Sequence, residues 1–106
     1  MKQYVEAFNK EFQIEQYTFR IRKLNAVEML GLRTENEMMI DSDSSTKFYN
    51  KILSCFEVKA GESWLKVYSN GNYYPAELED NVELVMKLVD YFMTNFLRPA
   101  FTKSDE

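Results

Sequence analysis

The side chains that usually carry out catalysis are scarce in this 106-residue chain, and histidine is missing altogether. Histidine is the commonest general base at neutral pH and a ligand in most zinc sites. The single cysteine, Cys55, therefore has no imidazole partner that would convert it into a thiolate nucleophile. Its position on the apolar side of a helix end favours a small core residue instead. The sequence thus predicts no catalytic residue and no cofactor, and it favours a protein that is not an enzyme.

Two groups of carboxylates are the remaining candidates for chemistry, because calcium and magnesium bind carboxylate oxygens. Asp41 and Asp43 lie in a segment that resembles the start of a calcium loop, but the sixth-position glycine and the closing glutamate are missing. The second group is the acidic run of Glu77, Glu79 and Asp80. Helix capping explains the first group, and attraction to the positive end of a helix explains the second. We therefore expect no metal site.

The balance of charge argues against a nucleic-acid partner. The chain has 13 Lys and Arg residues against 17 Asp and Glu residues, which gives a formal net charge of −4. A nucleic-acid-binding domain usually carries a basic stripe, whereas the basic residues of this chain are scattered. Arg20, Arg22 and Lys23 form the one basic patch, on the polar side of a predicted strand. The patch favours a solvated face that guards against strand pairing, with a dock for an acidic partner as the alternative.

Cysteine usage and hydropathy indicate a soluble, intracellular protein. One cysteine cannot form a disulfide within the chain, which argues against a secreted disulfide scaffold. Residues 1–12 lack the apolar central run of a signal peptide. The most apolar segment, residues 82–97, is too short and too charged to cross a bilayer. We therefore expect no membrane partner.

The first half of the chain predicts one strand followed by two helices. Apolar and polar residues alternate over residues 14–23, which is typical of a half-buried strand. Asn25 is the predicted cap of a helix over residues 26–33, and Glu28 at the third helical position completes a weaker form of the capping-box pattern. This helix should be short because it contains a glycine. Residues 41–45 have the composition of a loop, and a second helix is predicted over residues 46–55. Tyr49 should lie on the flank of this helix, and the residues that it and the next position should bury are Phe48, Ile52, Leu53 and Phe56.

The second half predicts three strands and a long helix. Strands are expected over residues 56–59 and 64–68. Asn70 and Gly71 are a strong signal for a type I′ hairpin, so that a third strand follows over residues 72–74. Pro75 then suits the first turn of the last helix.

The resulting order of elements is β-α-α-β-β-β-α. We therefore predict a single α+β domain over residues 1–106, in which two or three helices, including a long C-terminal helix, pack on a small antiparallel sheet. Residues 1–12 contain spaced apolar positions and leave two alternatives open: a short helix docked on the domain, or an arm that reaches a neighbouring molecule.

The last helix carries more apolar surface than a domain of this size can easily bury. A surface helix usually has an apolar stripe somewhat more than about 100° wide, and the stripe on residues 82–97 is about twice that width. Met86 and Met93 lie on this stripe, and methionine suits surfaces that accept varied apolar partners. The helix is therefore either enclosed by its own fold or in contact with another chain.

Three stretches of the chain together resemble one family of phage proteins. They are residues 17–32 (YTFRIRKLNAVEMLGL), residues 51–67 (KILSCFEVKAGESWLKV) and residues 73–106, which end in FLRPAFTKSDE. In order and spacing they resemble the tail assembly chaperones of siphophages that infect Gram-positive bacteria. The most characteristic parts are the strand with Trp64, the helix entry after Pro75 and the segment FLRPAFTKS. Residues 1–12 depart from the family pattern.

The resemblance implies a non-enzymatic protein of the infected bacterial cytoplasm that is absent from the mature virion. Such chaperones bind the long, helical and aggregation-prone tape measure protein before tail tube subunits polymerise around it. The tail tube protein is a further partner that this role leaves open. We also expect a homo-oligomer, because self-association would shield the apolar surface until the client arrives. Many members of the family have a longer product made by ribosomal frameshifting, to which this chain would be the shorter counterpart.

This interpretation places the partner-binding surface on the C-terminal helix and the segment that follows it. The alternative is a structural component of the tail or of the head–tail junction, which would use the same helix as a permanent oligomer interface. The predicted contact residues are Met86, Phe92, Met93, Phe96, Leu97 and Phe101.

Overall fold

A computed structural model describes residues 8–98 of the chain. The α+β class is confirmed: three helices accompany a small antiparallel sheet, and the C-terminal helix is the longest at 16 residues. The strands are β1 (Phe12–Ile14), β2 (Tyr17–Ile21), β3 (Phe56–Ala60), β4 (Ser63–Lys66), β5 (Tyr68–Ser69) and β6 (Asn72–Tyr73). The helices are α1 (Ala26–Glu37), α2 (Ser42–Leu53) and α3, which comprises an α-helical part (Val82–Phe92) and a π-helical part (Met93–Leu97).

The main sheet has the strand order β1-β2-β3-β4, and every neighbouring pair is antiparallel. Phe19 lies opposite Val58 and Ile21 opposite Phe56, and all four side chains are fully buried on the face that the helices cover. Because side chains alternate along a strand, the intervening residues, such as Lys59, lie on the open face. Among residues 8–98, the helices therefore cover one side of the sheet, as the alternating pattern of residues 14–23 predicted.

β1 differs from the prediction, which placed one strand over residues 14–23 and a helix or arm over residues 1–12. Phe12 is already the first residue of β1, and the chain turns back into β2 through a tight turn at Glu15. Glu15 has a φ of 57°, a left-handed conformation that is uncommon for residues other than glycine. Positions 15 and 16 are Glu and Gln and contain none of the Asn, Asp or Gly residues that signal a hairpin turn. The part of the prediction that concerns residues 1–7 lies outside the described residues.

α1 begins where the sequence predicts but is longer. The Asn25 side chain accepts a hydrogen bond from the Glu28 N–H at 2.8 Å, and the Glu28 carboxylate accepts one from the Asn25 N–H at 3.0 Å. This reciprocal capping box starts the helix. The predicted end at residue 33 is wrong, because α1 continues to Glu37. Gly31 costs a helix about 1 kcal/mol, and this cost does not end a helix whose inner side is held in the core.

α2 begins at Ser42, inside the segment that was predicted to be a loop. Asp41 is its N-cap and accepts a hydrogen bond from the Ser44 N–H at 2.8 Å. The small polar residues that indicated a loop thus form a cap and a first helical turn, which the same residue types favour. The apolar residues that were predicted to be buried in and after this helix are confirmed in the core: Phe48, Ile52, Leu53 and Phe56.

The third predicted strand belongs to a separate two-stranded ribbon rather than to the main sheet. β5 pairs with β6 across the turn at Asn70 and Gly71, whose φ angles of 53° and 80° have the signs of a type I′ turn. The hairpin is therefore confirmed. Val67 separates β4 from β5, so the first strand of the hairpin does not continue β4. Val67 is buried and donates its N–H to the Phe56 carbonyl at 3.1 Å.

A short 3₁₀ helix (Ala76–Asp80) separates Pro75 from α3, so that the proline does not lie in the first turn of the long helix. α3 starts instead at Asn81, whose side chain accepts a hydrogen bond from the Leu84 N–H at 3.0 Å. One hydrophobic core joins the described elements, and α3 lies across it. The described residues therefore share a single core, in which α2 packs against α3.

Candidate functional site

Cys55 is buried in the core, as the sequence predicts. Its Sγ donates a hydrogen bond to the Lys51 carbonyl at 3.4 Å. Burial raises the pKa of the Cys55 thiol to about 11, because the buried thiolate loses its hydration. The thiol is therefore protonated at neutral pH and is a poor nucleophile.

The carboxylate groups have local structural roles. The Ser44 N–H donates to Asp41 and keeps the pKa of this carboxyl below its usual value. Glu77 accepts a hydrogen bond from the Tyr17 hydroxyl. Within residues 8–98, no three side chains of the metal-binding types lie close enough together to hold a metal ion.

The basic patch on β2 is largely paired. Arg20 forms a salt bridge with Glu57 at 2.7 Å, and its guanidinium lies 4.1 Å from the centre of the Trp64 ring. Arg22 forms a salt bridge with Glu28 at 3.1 Å. These contacts favour the interpretation of a solvated, paired face over that of a dock for an acidic partner.

α3 has one buried side and one open apolar side. Leu84 and Leu88 are fully buried, whereas Val82 is 70% exposed and Met86 is 64% exposed. Val85, Val89 and Met93 are partly buried between these two sides. The wide apolar stripe seen in the sequence is therefore divided between the core and the surface.

This division splits the predicted contact residues. Phe92 and Phe96 are fully buried and Leu97 is 4% exposed, so these three side chains fill the core and do not face a partner. Met86 is exposed and Met93 is partly buried at the surface. Phe101 lies outside the described residues.

The π-helical part of α3 explains why Leu97 is inside. In a regular α-helix, Leu97 would lie one turn after Met93, on the same ridge as Met86. Residues 93–97 instead form a wider π-helical turn, in which each residue rotates the chain by a smaller angle. The Asn95 side chain donates to the Tyr91 carbonyl at 2.9 Å within this segment. The altered rotation turns Leu97 away from the methionine ridge and into the core.

A groove lies beside the open side of α3, and its volume is about 460 Å³. Tyr49, which is 40% exposed, forms the wall on α2. The sequence predicted Tyr49 only as a flanking residue of its helix, because nothing in the sequence shows which helix lies beside α3. The lining residues are Tyr49, Val85, Met86, Val89, Asp90, Met93 and Arg98.

The charges of the groove lie at its edges. Asp90 lines the edge of α3 that faces away from α2, and it forms no salt bridge with any residue between positions 8 and 98. Arg98 lines the C-terminal end. The floor is apolar, so the groove suits the side chains of a protein partner better than a small polar ligand.

A second cavity, of about 330 Å³, lies between α1 and the C-terminal end of α2. Its charged side chains are engaged in salt bridges, namely Arg22 with Glu28 and Lys51 with Glu35 at 2.7 Å. The charged side chains that line this cavity are therefore all paired, whereas Asp90 in the groove beside α3 forms no salt bridge with any of residues 8–98.

No protein-family model matches the chain, and neither a curated protein nor a solved structure is significantly similar to it. No helix in the described part of the chain is both long enough and apolar enough to span a membrane.

Proposed function

We propose that this protein is a non-enzymatic assembly chaperone of a siphophage tail, and that it binds the tape measure protein in the groove beside α3. The observation that carries the proposal is the open apolar side of this helix, where Met86 lines the groove and is 64% exposed, and Val82, one turn before it, is 70% exposed. Exposed apolar patches that line a groove are typical of interaction sites. The resemblance of the sequence to tail assembly chaperones supports the choice of client.

The groove suits transient binding. Burying a side chain of the size of methionine or valine contributes about 1.5–3 kcal/mol. A client that covers Met86, Val89 and Met93 would gain several kcal/mol, from which the cost of association must be subtracted. The result is an affinity that holds a client during assembly and still allows its release. In this proposal the protein acts in the cytoplasm of the infected host, and self-association shields the same surface before the client arrives.

Capture of the tape measure protein from co-expressing cells tests this proposal. Met86→Asp places a charge in the groove and should abolish capture, while circular dichroism and thermal unfolding remain those of the wild type. Val27→Asp is the matched control, because Val27 is 76% exposed on α1, away from the groove. The control should capture the client normally.

Two results would contradict the proposal. The first is unchanged capture by the Met86→Asp variant, which would exclude the groove as the binding surface. The second is the presence of the protein in purified virions at a fixed ratio to the tail tube protein. That result would indicate the alternative, a permanent structural component of the tail.

A further inference from the structure

We infer that the occupant of the groove is an amphipathic α-helix with a Lys or Arg beside its apolar stripe, and that this cation lies against Asp90. The inference rests on the proposed function, in that it takes the groove to be the client site, and it adds the chemistry that a client segment must have. The wall helices, the length of the groove and the charges at its edge each contribute to it.

The walls of the groove require an occupant that satisfies its own backbone. Both walls are α-helices, whose N–H and C=O groups are bonded within α2 and α3 and form no open strand edge. An extended peptide lying between them would lose hydrogen bonds to water without gaining others. A helix keeps its backbone hydrogen bonds and presents only side chains to the groove.

The apolar lining of the groove extends over about two turns of α3. Val85 and Met93 are its first and last apolar residues on this helix, and the helix rises by about 12 Å between them. A partner helix that packs on the groove at a typical interaxial distance of about 8–10 Å would place its side chains at i, i+3 or i+4 and i+7 against the apolar side of α3.

The edge of the groove selects the charge of the occupant. Asp90 lines it and has no salt-bridge partner among residues 8–98. Glu83 is exposed seven residues earlier, which is two helical turns away on the same side of α3. Neither Glu83 nor Lys87 lines the groove itself, and Lys87 lies further around the helix from Asp90 than Glu83 does. A bound helix therefore meets the Asp90 carboxylate at this edge, and a Lys or Arg at its flank is complementary to it.

The same edge makes a second copy of this chain a weaker occupant than a basic-flanked helix, so that a client can displace the self-association that shields the groove. If two α3 helices packed antiparallel about a two-fold axis, the edge with Glu83 and Asp90 of one copy would lie against the same edge of the other. Like charges in that position repel each other. A basic-flanked helix of another protein meets no such repulsion.

Two synthetic amphipathic peptides of about 18 residues test the inference. Both carry the same stripe of leucines, and the residues beside the stripe are lysines in one peptide and glutamates in the other. Fluorescence anisotropy at about 50 mM salt should show that the wild-type protein binds the lysine peptide about tenfold more tightly. Asp90→Asn should reduce this preference about threefold. Glu62→Gln, which removes the same charge in the exposed turn between β3 and β4, should leave it unchanged.

The competing outcomes separate the inference from the proposed function. Equal affinity for the two peptides, an unchanged preference in Asp90→Asn, or binding that Met86→Asp does not weaken overturns the inference. The inference is also overturned if neither peptide binds the wild-type protein. Capture of the tape measure protein without a peptide preference would leave the proposed function standing. A peptide preference without capture of the tape measure protein would reject the proposed function and keep the inference.

Discussion

Cys55 illustrates how surroundings decide the chemistry of a single side chain. It is buried, and burial raises the pKa of its thiol to about 11. We expect the native protein to react with a thiol reagent such as Ellman's reagent at pH 8 at least about a hundredfold more slowly than the unfolded protein, because few molecules carry the thiolate. The rate in the native protein should rise with pH up to about 11, and stopped-flow absorbance measures it.

The control for this experiment is the same reaction in a denaturant, where the thiol has its ordinary pKa and is accessible. Equal rates in the native and unfolded protein at pH 8 would show that Cys55 is reactive, and would reopen the question of a thiol-based function.

Capping residues were the most predictable single residues of this chain. Asn25 and Glu28 have the identities and the spacing of a capping box, and the structure contains both of its hydrogen bonds. These hydrogen bonds join residues that are three positions apart, so the residue types and their spacing are sufficient to predict them. Glu15 is the opposite case, since its left-handed conformation depends on the pairing of β1 with β2 and leaves no local signal.

At the scale of elements, two substitutions in α3 test whether one side of this helix is buried and the other exposed. Leu88→Ala should lower the free energy of unfolding by about 2–5 kcal/mol, because it removes a fully buried side chain and leaves a cavity. Met86→Ala, at an exposed position of the same helix, should change it by less than about 0.5 kcal/mol. Urea unfolding followed by circular dichroism measures both values.

Alanine has a higher helix propensity than either leucine or methionine, so propensity cannot explain a loss of stability in one variant alone. A loss of more than about 2 kcal/mol in Met86→Ala would mean that this side of α3 is covered, and the groove would not exist in solution.

The sequence predicted that α3 has excess apolar surface but not which residues are exposed. The periodicity of a regular helix assigns Met86, Met93 and Leu97 to one ridge. The π-helical turn over Met93–Leu97 breaks this ridge and moves Leu97 into the core. π-helical turns are rare, and a periodicity that assumes regular α-helical geometry does not predict one.

At the scale of the whole molecule, the fold class was predictable because the alternation of the strands and the periodicity of the helices are both local patterns. The groove was not, because it depends on which elements become neighbours. Tyr49 and Asp90 are about forty positions apart in the sequence, and only the packing of α2 against α3 places both on one groove. That Asp90 forms no salt bridge with any of residues 8–98 is likewise known only from its neighbours in space.

The net charge of −4 and the acidic edge of the groove predict that salt has opposite effects on self-association at the groove and on binding of a basic-flanked helix there. Salt screens the repulsion between like-charged copies, and it also screens the attraction between Asp90 and a basic-flanked helix. Raising the salt from about 50 mM to about 500 mM shortens the screening length from about 14 Å to about 4 Å. Self-association measured by sedimentation velocity should therefore strengthen, while binding of the lysine-flanked peptide should weaken. Met86→Asp should abolish both, whereas Asp90→Asn should reduce both salt effects. If salt weakens self-association as well, the copies meet through opposite charges on other surfaces, and the groove does not mediate their contact.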